Sequence, residues 1–214
     1  MKYLFLLLAL TALPIPAATF YEAEELVKPT YLSPVRSSSA ADGTLLVTKG
    51  KIATLKVFPS FEASWAIAID ETIPEAARSK YPHWQLVPLH ERLYSITATV
   101  APDEPKESRQ TPRWERQISH ELAVAIQRAW ARMLLLTRYP AGVSRGLDGT
   151  LYRFSTFIRG MGVLEGETWS PDEGLPAEMA GLGKSIRDLA VNQSGSEEEL
   201  IARLQAFEAQ LPNP

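Results

Sequence analysis

The chain has 214 residues, with 22 basic and 25 acidic side chains, a formal net charge of −3 and no cysteine. The missing thiol excludes disulfides, cysteine-based zinc sites, thiol catalysis and dithiol redox chemistry. The acidic balance argues against nucleic acid as a partner, because phosphate binding needs a basic face, and a chain of this length buries one good core or two small ones.

Residues 1–18 read MKYLFLLLALTALPIPAA. A basic start at Lys2, an apolar run from Tyr3 to Leu13 broken only by Thr11, two prolines and the small pair Ala17-Ala18 follow the layout of a secretory signal peptide. The run of 11 residues is too short to span a bilayer, which takes about 20. The expectation is a periplasmic or secreted protein, cleaved near Ala17 or Ala18, with no transmembrane anchor after signal removal. An exported domain without disulfides must draw its stability from packing alone.

Residues 19–100 read as a β-rich region. An irregular lead-in ends at the turn Asp42-Gly43. Thr44–Thr48 and Lys51–Phe58 flank Lys49-Gly50 as a hairpin. Ala63–Ile69 and Arg92–Val100 alternate at period two and read as two more strands. Residues 101–113 carry three prolines and six charges without a large apolar side chain, the composition of a solvated linker, so the chain forms either two lobes or one compact unit interrupted there. Residues 114–214 open with an expected helix over Trp114–Tyr139. Its stripe is Trp114, Ile118, Leu122, Ala125, Ala129 and Leu136, widened by Ile126 and Met133, opposite Arg116, His120 and Gln127. Pro140 and Gly142 end it. Leu151–Ile158 and Val163–Trp169 form a hairpin about Gly160-Met161-Gly162. A three-residue loop puts Tyr152, Phe154, Thr156 and Ile158 on one face with Leu164, Gly166 and Thr168, and Arg153, Ser155 and Phe157 on the other with Glu165 and Glu167. Ser170-Pro171 has the look of a helix start. Helices follow over roughly Pro176–Val191 and Ser196–Gln210, the second with a Ser196/Glu199 capping box.

The fold class is therefore α+β: a small antiparallel β region, a long amphipathic helix that the hairpin covers, and two C-terminal helices.

The chemistry-bearing residues are sparse. His83 and His90, with Glu91, have a spacing that matches no compact zinc motif, and His120 lies on the polar helix face, so no metal and no cofactor are expected. Gly142-Val143-Ser144-Arg145-Gly146 has the letters of a nucleophile elbow but lies between a helix and a strand, the reverse of the context that chemistry requires. Asp148, Glu165, Glu167, Asp172 and Glu173 could supply a carboxylate pair; Glu165 and Glu167 lie about 7 Å apart on one strand face. No phosphate loop or dinucleotide fingerprint is present.

The run from Thr137 to Gly174, with GLDGTLYRF at Gly146–Phe154 and GETWSP at Gly166–Pro171, resembles a signature of exported proteins of Gram-negative bacteria in which an amphipathic helix precedes the motif. The resemblance covers roughly residues 114–191. It implies a periplasmic location and assigns no activity. Exposed arginine and aromatic side chains around glycine turns build binding surfaces, which singles out Arg138, Tyr139, Asp148, Tyr152 and Trp169 as the candidate binding cluster. The reading is a binding or interaction protein of inhibitor, immunity or envelope-assembly type, with an envelope protein as partner and the oligomeric state open. The alternative is an envelope hydrolase using a carboxylate pair or Ser144. A third is a structural subunit with a flat apolar patch of Trp65, Tyr81 and Trp84.

Overall fold

The computed structural model describes residues 31–35, 51–81, 83–101, 111–139 and 148–212. Among these residues period-two alternation produces six strands: β1 (Lys51–Pro59), β2 (Trp65–Thr72), β3 (Leu93–Val100), β4 (Arg113–Ile118), β5 (Thr150–Ile158) and β6 (Gly162–Trp169). They form one antiparallel sheet in the order β4-β3-β2-β1-β5-β6. Four helices, α1 (Glu75–Lys80), α2 (His120–Leu135), α3 (Gly174–Val191) and α4 (Glu197–Gln210), complete an α+β fold. The sheet joins the two parts of the chain, because β1 pairs with β2 on one side and with β5 on the other.

One sheet face carries the core. Leu55 of β1 stands between Ile67 of β2 and Phe154 of β5, and all three are buried. Fully burying a side chain of this size contributes about 1.5–3 kcal/mol. Helix α2 adds Leu122, Ile126, Trp130 and Met133 to this layer, and α3 adds Met179, Leu182 and Ile186. Helix α4 packs outside α2 and α3. It is stapled to α2 through buried Glu208, whose carboxylate accepts from Arg128 Nε at 3.1 Å and Nη2 at 2.7 Å, while its carbonyl accepts from Arg132 at 2.8 Å. Ser196 caps α4 by accepting from the Glu199 amide.

The β5–β6 hairpin has the expected faces, its pairing runs to Ile158–Gly162 so that the loop is Arg159-Gly160-Met161 and sets Phe154 opposite Gly166 and Arg153 opposite Glu167, and it packs against α2. Three expectations are corrected. The helix over Trp114–Tyr139 begins only at His120, and Arg113–Ile118 is the edge strand β4, paired with β3. Trp114 and Ile118 satisfy both periods, being four apart, so the apolar stripe alone does not separate helix from strand. The alternation of Arg113, Glu115 and Gln117 with Trp114, Arg116 and Ile118, followed by Ser119 accepting from the Leu122 amide at 3.2 Å, marks the boundary. Arg113 thus belongs to the sheet rather than to the linker. His120 is half-buried, its ring 5.2 Å from that of Tyr94, rather than turned to solvent. Ser170 does not cap a helix: α3 starts at Gly174, and Ser170 closes the base of the hairpin, its hydroxyl accepting from the Thr150 amide at 2.7 Å. The segments Thr44–Thr48 and Gly142–Gly146, and residues 1–30 and 102–110, lie outside the described residues.

Candidate interaction surface

The five residues singled out from the sequence are distributed over three places. Tyr152 is a core residue, 7% exposed, on the helix-covered face. Asp148 is exposed and Trp169 half-buried at the end of the sheet where β5 begins. There Gly149 hydrogen-bonds Ser60 in both directions: its amide donates to the Ser60 hydroxyl at 3.0 Å and its carbonyl accepts from the Ser60 amide at 2.9 Å. A Cβ at residue 149 would lie 2.8 Å from the Trp169 indole, so this glycine serves close approach to an aromatic ring.

Arg138 lies at the β6 edge. Ser33 and Glu167 exchange backbone hydrogen bonds, both of 2.7 Å, so residues 31–35 run antiparallel beside β6. The Arg138 amide donates to the Leu32 carbonyl at 2.9 Å, and its guanidinium stacks 4.6 Å above the Tyr31 ring. Leu32 enters the core fully buried beside Gly166, where a Cβ would meet Leu134, Leu32 and Thr137 within 2.8–3.1 Å. Arg138 therefore holds a segment of its own chain. Tyr139, next to it, is 82% exposed.

Among the described residues the candidate catalytic groups do not converge. Glu167 is buried and paired with Arg153 Nη2 at 3.2 Å, whereas Glu165, Asp172 and Glu173 are exposed. His83 and His90 are exposed, and Glu91 accepts from Lys80 at 2.7 Å and from the Tyr81 hydroxyl at 3.0 Å. The Lys80 hydrogen bond holds the Glu91 carboxyl below the usual carboxylate range. Among the described residues no three metal-ligating side chains gather, and no helix is long and apolar enough to cross a membrane. Ser144 lies outside the described residues. Of the proposed flat patch, Trp65 is buried and Tyr81 half-buried.

A different surface emerges from the register. The β5–β6 tip lies at the same end of the sheet as the start of β1, the end of β2 and the start of β3. At this end Phe157 and Val163 form an exposed cross-strand pair, with Met161 in the turn beside them. Leu86 and Leu89, in the 3₁₀ turns between α1 and β3, and Leu93 at the start of β3 share this end and are also exposed. Six of the nine exposed large apolar side chains of the described residues thus lie at one end of the sheet, and exposed apolar groups concentrated in one region mark interaction sites. The sequence carried part of this signal: period two places Phe157 and Val163 on the polar hairpin face, where an apolar residue is out of pattern. Leu86 and Leu89 lie in turns, where periodicity is silent. Comparison with protein-family models, curated proteins and solved structures finds no match to this chain.

Proposed function

We propose that the protein is a binding protein of the bacterial envelope, exported by its N-terminal segment, which engages a protein partner through the apolar end of its sheet. The observation that carries this reading is the cluster of Phe157, Met161, Val163, Leu86, Leu89 and Leu93 at that end. Apolar side chains grouped on a charged surface favour contact with a partner because that contact removes them from water. The rigid β5–β6 hairpin, with paired register up to Ile158 and Gly162, presents Phe157 and Val163 at low entropic cost.

The test is native mass spectrometry of the protein purified gently from its own cells, alongside the double variant Phe157→Ser/Val163→Thr. The wild type should carry a partner mass that the variant loses while retaining the same thermal midpoint. A wild type that flies as a bare monomer, or a variant that keeps the same partner, refutes the reading.

A further inference from the structure

Trp65, Val57 and Tyr152 form one row across β2, β1 and β5, since Val57 is the register partner of both aromatics. Helix α3 crosses this row with Lys184 and Arg187, one turn apart and so on one helix face. The Lys184 ammonium lies 5.8 Å from the Tyr152 ring centre, and the Arg187 guanidinium lies 4.8 Å from that of Trp65. Two cations from one helix face are thereby held over two buried rings that flank Val57.

Their polar surroundings set them apart. The described arginines that are not exposed are Arg92, Arg116, Arg132, Arg153 and Arg187. Arg92 donates to Glu71 and to the Val87 carbonyl, Arg116 to the Leu189 carbonyl, Arg132 to the Glu208 carbonyl and Arg153 to Glu167. Arg187 has no acceptor among the described residues, and its Nε is buried without a hydrogen-bond partner. Lys184 likewise has no carboxylate within ion-pair distance among the described residues, although the chain carries 25 acidic side chains. A buried donor on a charged group is normally satisfied; Arg153 Nε also lacks a hydrogen-bond partner, but its guanidinium is paired to Glu167 through Nη2, whereas Arg187 has no such pairing among the described residues. Stacking on an indole fixes the plane of a guanidinium without using its N–H donors, and a guanidinium so fixed receives a planar or tetrahedral oxyanion through paired N–H bonds.

We infer that Lys184 and Arg187 form an anion-binding site for an oxyanion of the carboxylate or phosphate class, with Trp65 and Tyr152 as its aromatic floor. The site is separate from the apolar end of the sheet and does not depend on that surface having a partner.

The experiment is an NMR titration of the ¹⁵N-labelled chain with inorganic phosphate and, separately, with acetate, at constant ionic strength set by chloride. It follows the Arg187 Nε–H signal and the Trp65 indole. Saturable shifts at millimolar anion are expected for at least one of the two, and which of them binds more tightly distinguishes phosphate from carboxylate recognition. The variant Lys184→Gln, at an exposed position that leaves the fold intact, should bind about tenfold more weakly through loss of a charge-assisted contact. Arg187→Met, which keeps an apolar cover over Trp65, should abolish saturation. The inference is overturned if neither anion shifts these signals more than chloride does, or if both variants titrate like the wild type.

Discussion

Replacing Glu167 by Ala is expected to be among the most damaging single changes on the sheet face opposite the helices. The carboxylate is 3% exposed and Arg153 6% exposed, and they face one another across β5 and β6 at 3.2 Å. Both also have further polar partners. Removing one member of a buried pair strands the other charge at a cost of about 3–5 kcal/mol. Against a total stability of about 5–15 kcal/mol, that is a large fraction. At about 2–4 °C per kcal/mol for a protein of this size, the midpoint should fall by roughly 6–20 °C. Arg153→Met should cost less, because the side chain still covers Phe58, whose ring lies 5.8 Å from the guanidinium. The double variant should lose less than the sum of the two singles, by about 0.5–3 kcal/mol. Urea unfolding of all four proteins at neutral pH measures each value. A Glu167→Ala loss under about 1 kcal/mol, or strict additivity in the cycle, would show that the pair behaves as a solvated surface contact and would refute the reasoning.

Two further outcomes follow from local geometry. Gly166→Ala puts a Cβ 2.8 Å from Leu134 Cδ2 and 3.1 Å from Leu32 Cβ, which should cost about 1–3 kcal/mol by overpacking and detach residues 31–33 from β6; hydrogen exchange at the Ser33 amide should accelerate, and unchanged protection there contradicts the docking described. For Glu91, the Lys80 hydrogen bond depresses the folded pKa, so its stabilisation is complete above the ordinary carboxylate value and is lost as pH falls through the depressed one. Lys80→Met should move the Glu91 midpoint in a carboxyl NMR titration upward towards that ordinary value, and an unmoved midpoint argues against the assignment.

The hairpin shows how far local pattern reaches. Alternation and a short glycine turn were enough to put Phe154 on one face with Gly166 and Arg153 on the other with Glu167, because an odd loop length fixes the parity of the pairing, while the exact partners depend on which three residues form the turn. Burial of the Arg153–Glu167 pair was not legible, since alternation assigns both to the face away from the helices and says nothing of what lies there. Trp114 and Ile118 show the opposite failure: apolar residues four apart fit a helix and a strand alike, and only the pairing with Tyr94 and Ala98 of β3 decides between them. The candidate cluster dissolved for a related reason. Arg138 and Tyr152 carry side chains that suit a ligand, but one stacks on Tyr31 and the other is sealed in the core.

Local pattern in the chain accounts for the α+β class, the positions of most strands and of the last two helices, the Ser196 cap and the absence of thiol chemistry. These follow from period, capping and composition, all of which act over a few residues. The pairing of β5 with β1, the docking of Leu32 and Ser33 on β6, the placing of six exposed apolar side chains at one end of the sheet, and the position of Lys184 and Arg187 over Tyr152 and Trp65 come from the assembled fold. Each of these brings together residues far apart in the chain, and such contacts are selected by competition among all possible pairings for the same buried surface, a choice that no local window of sequence contains.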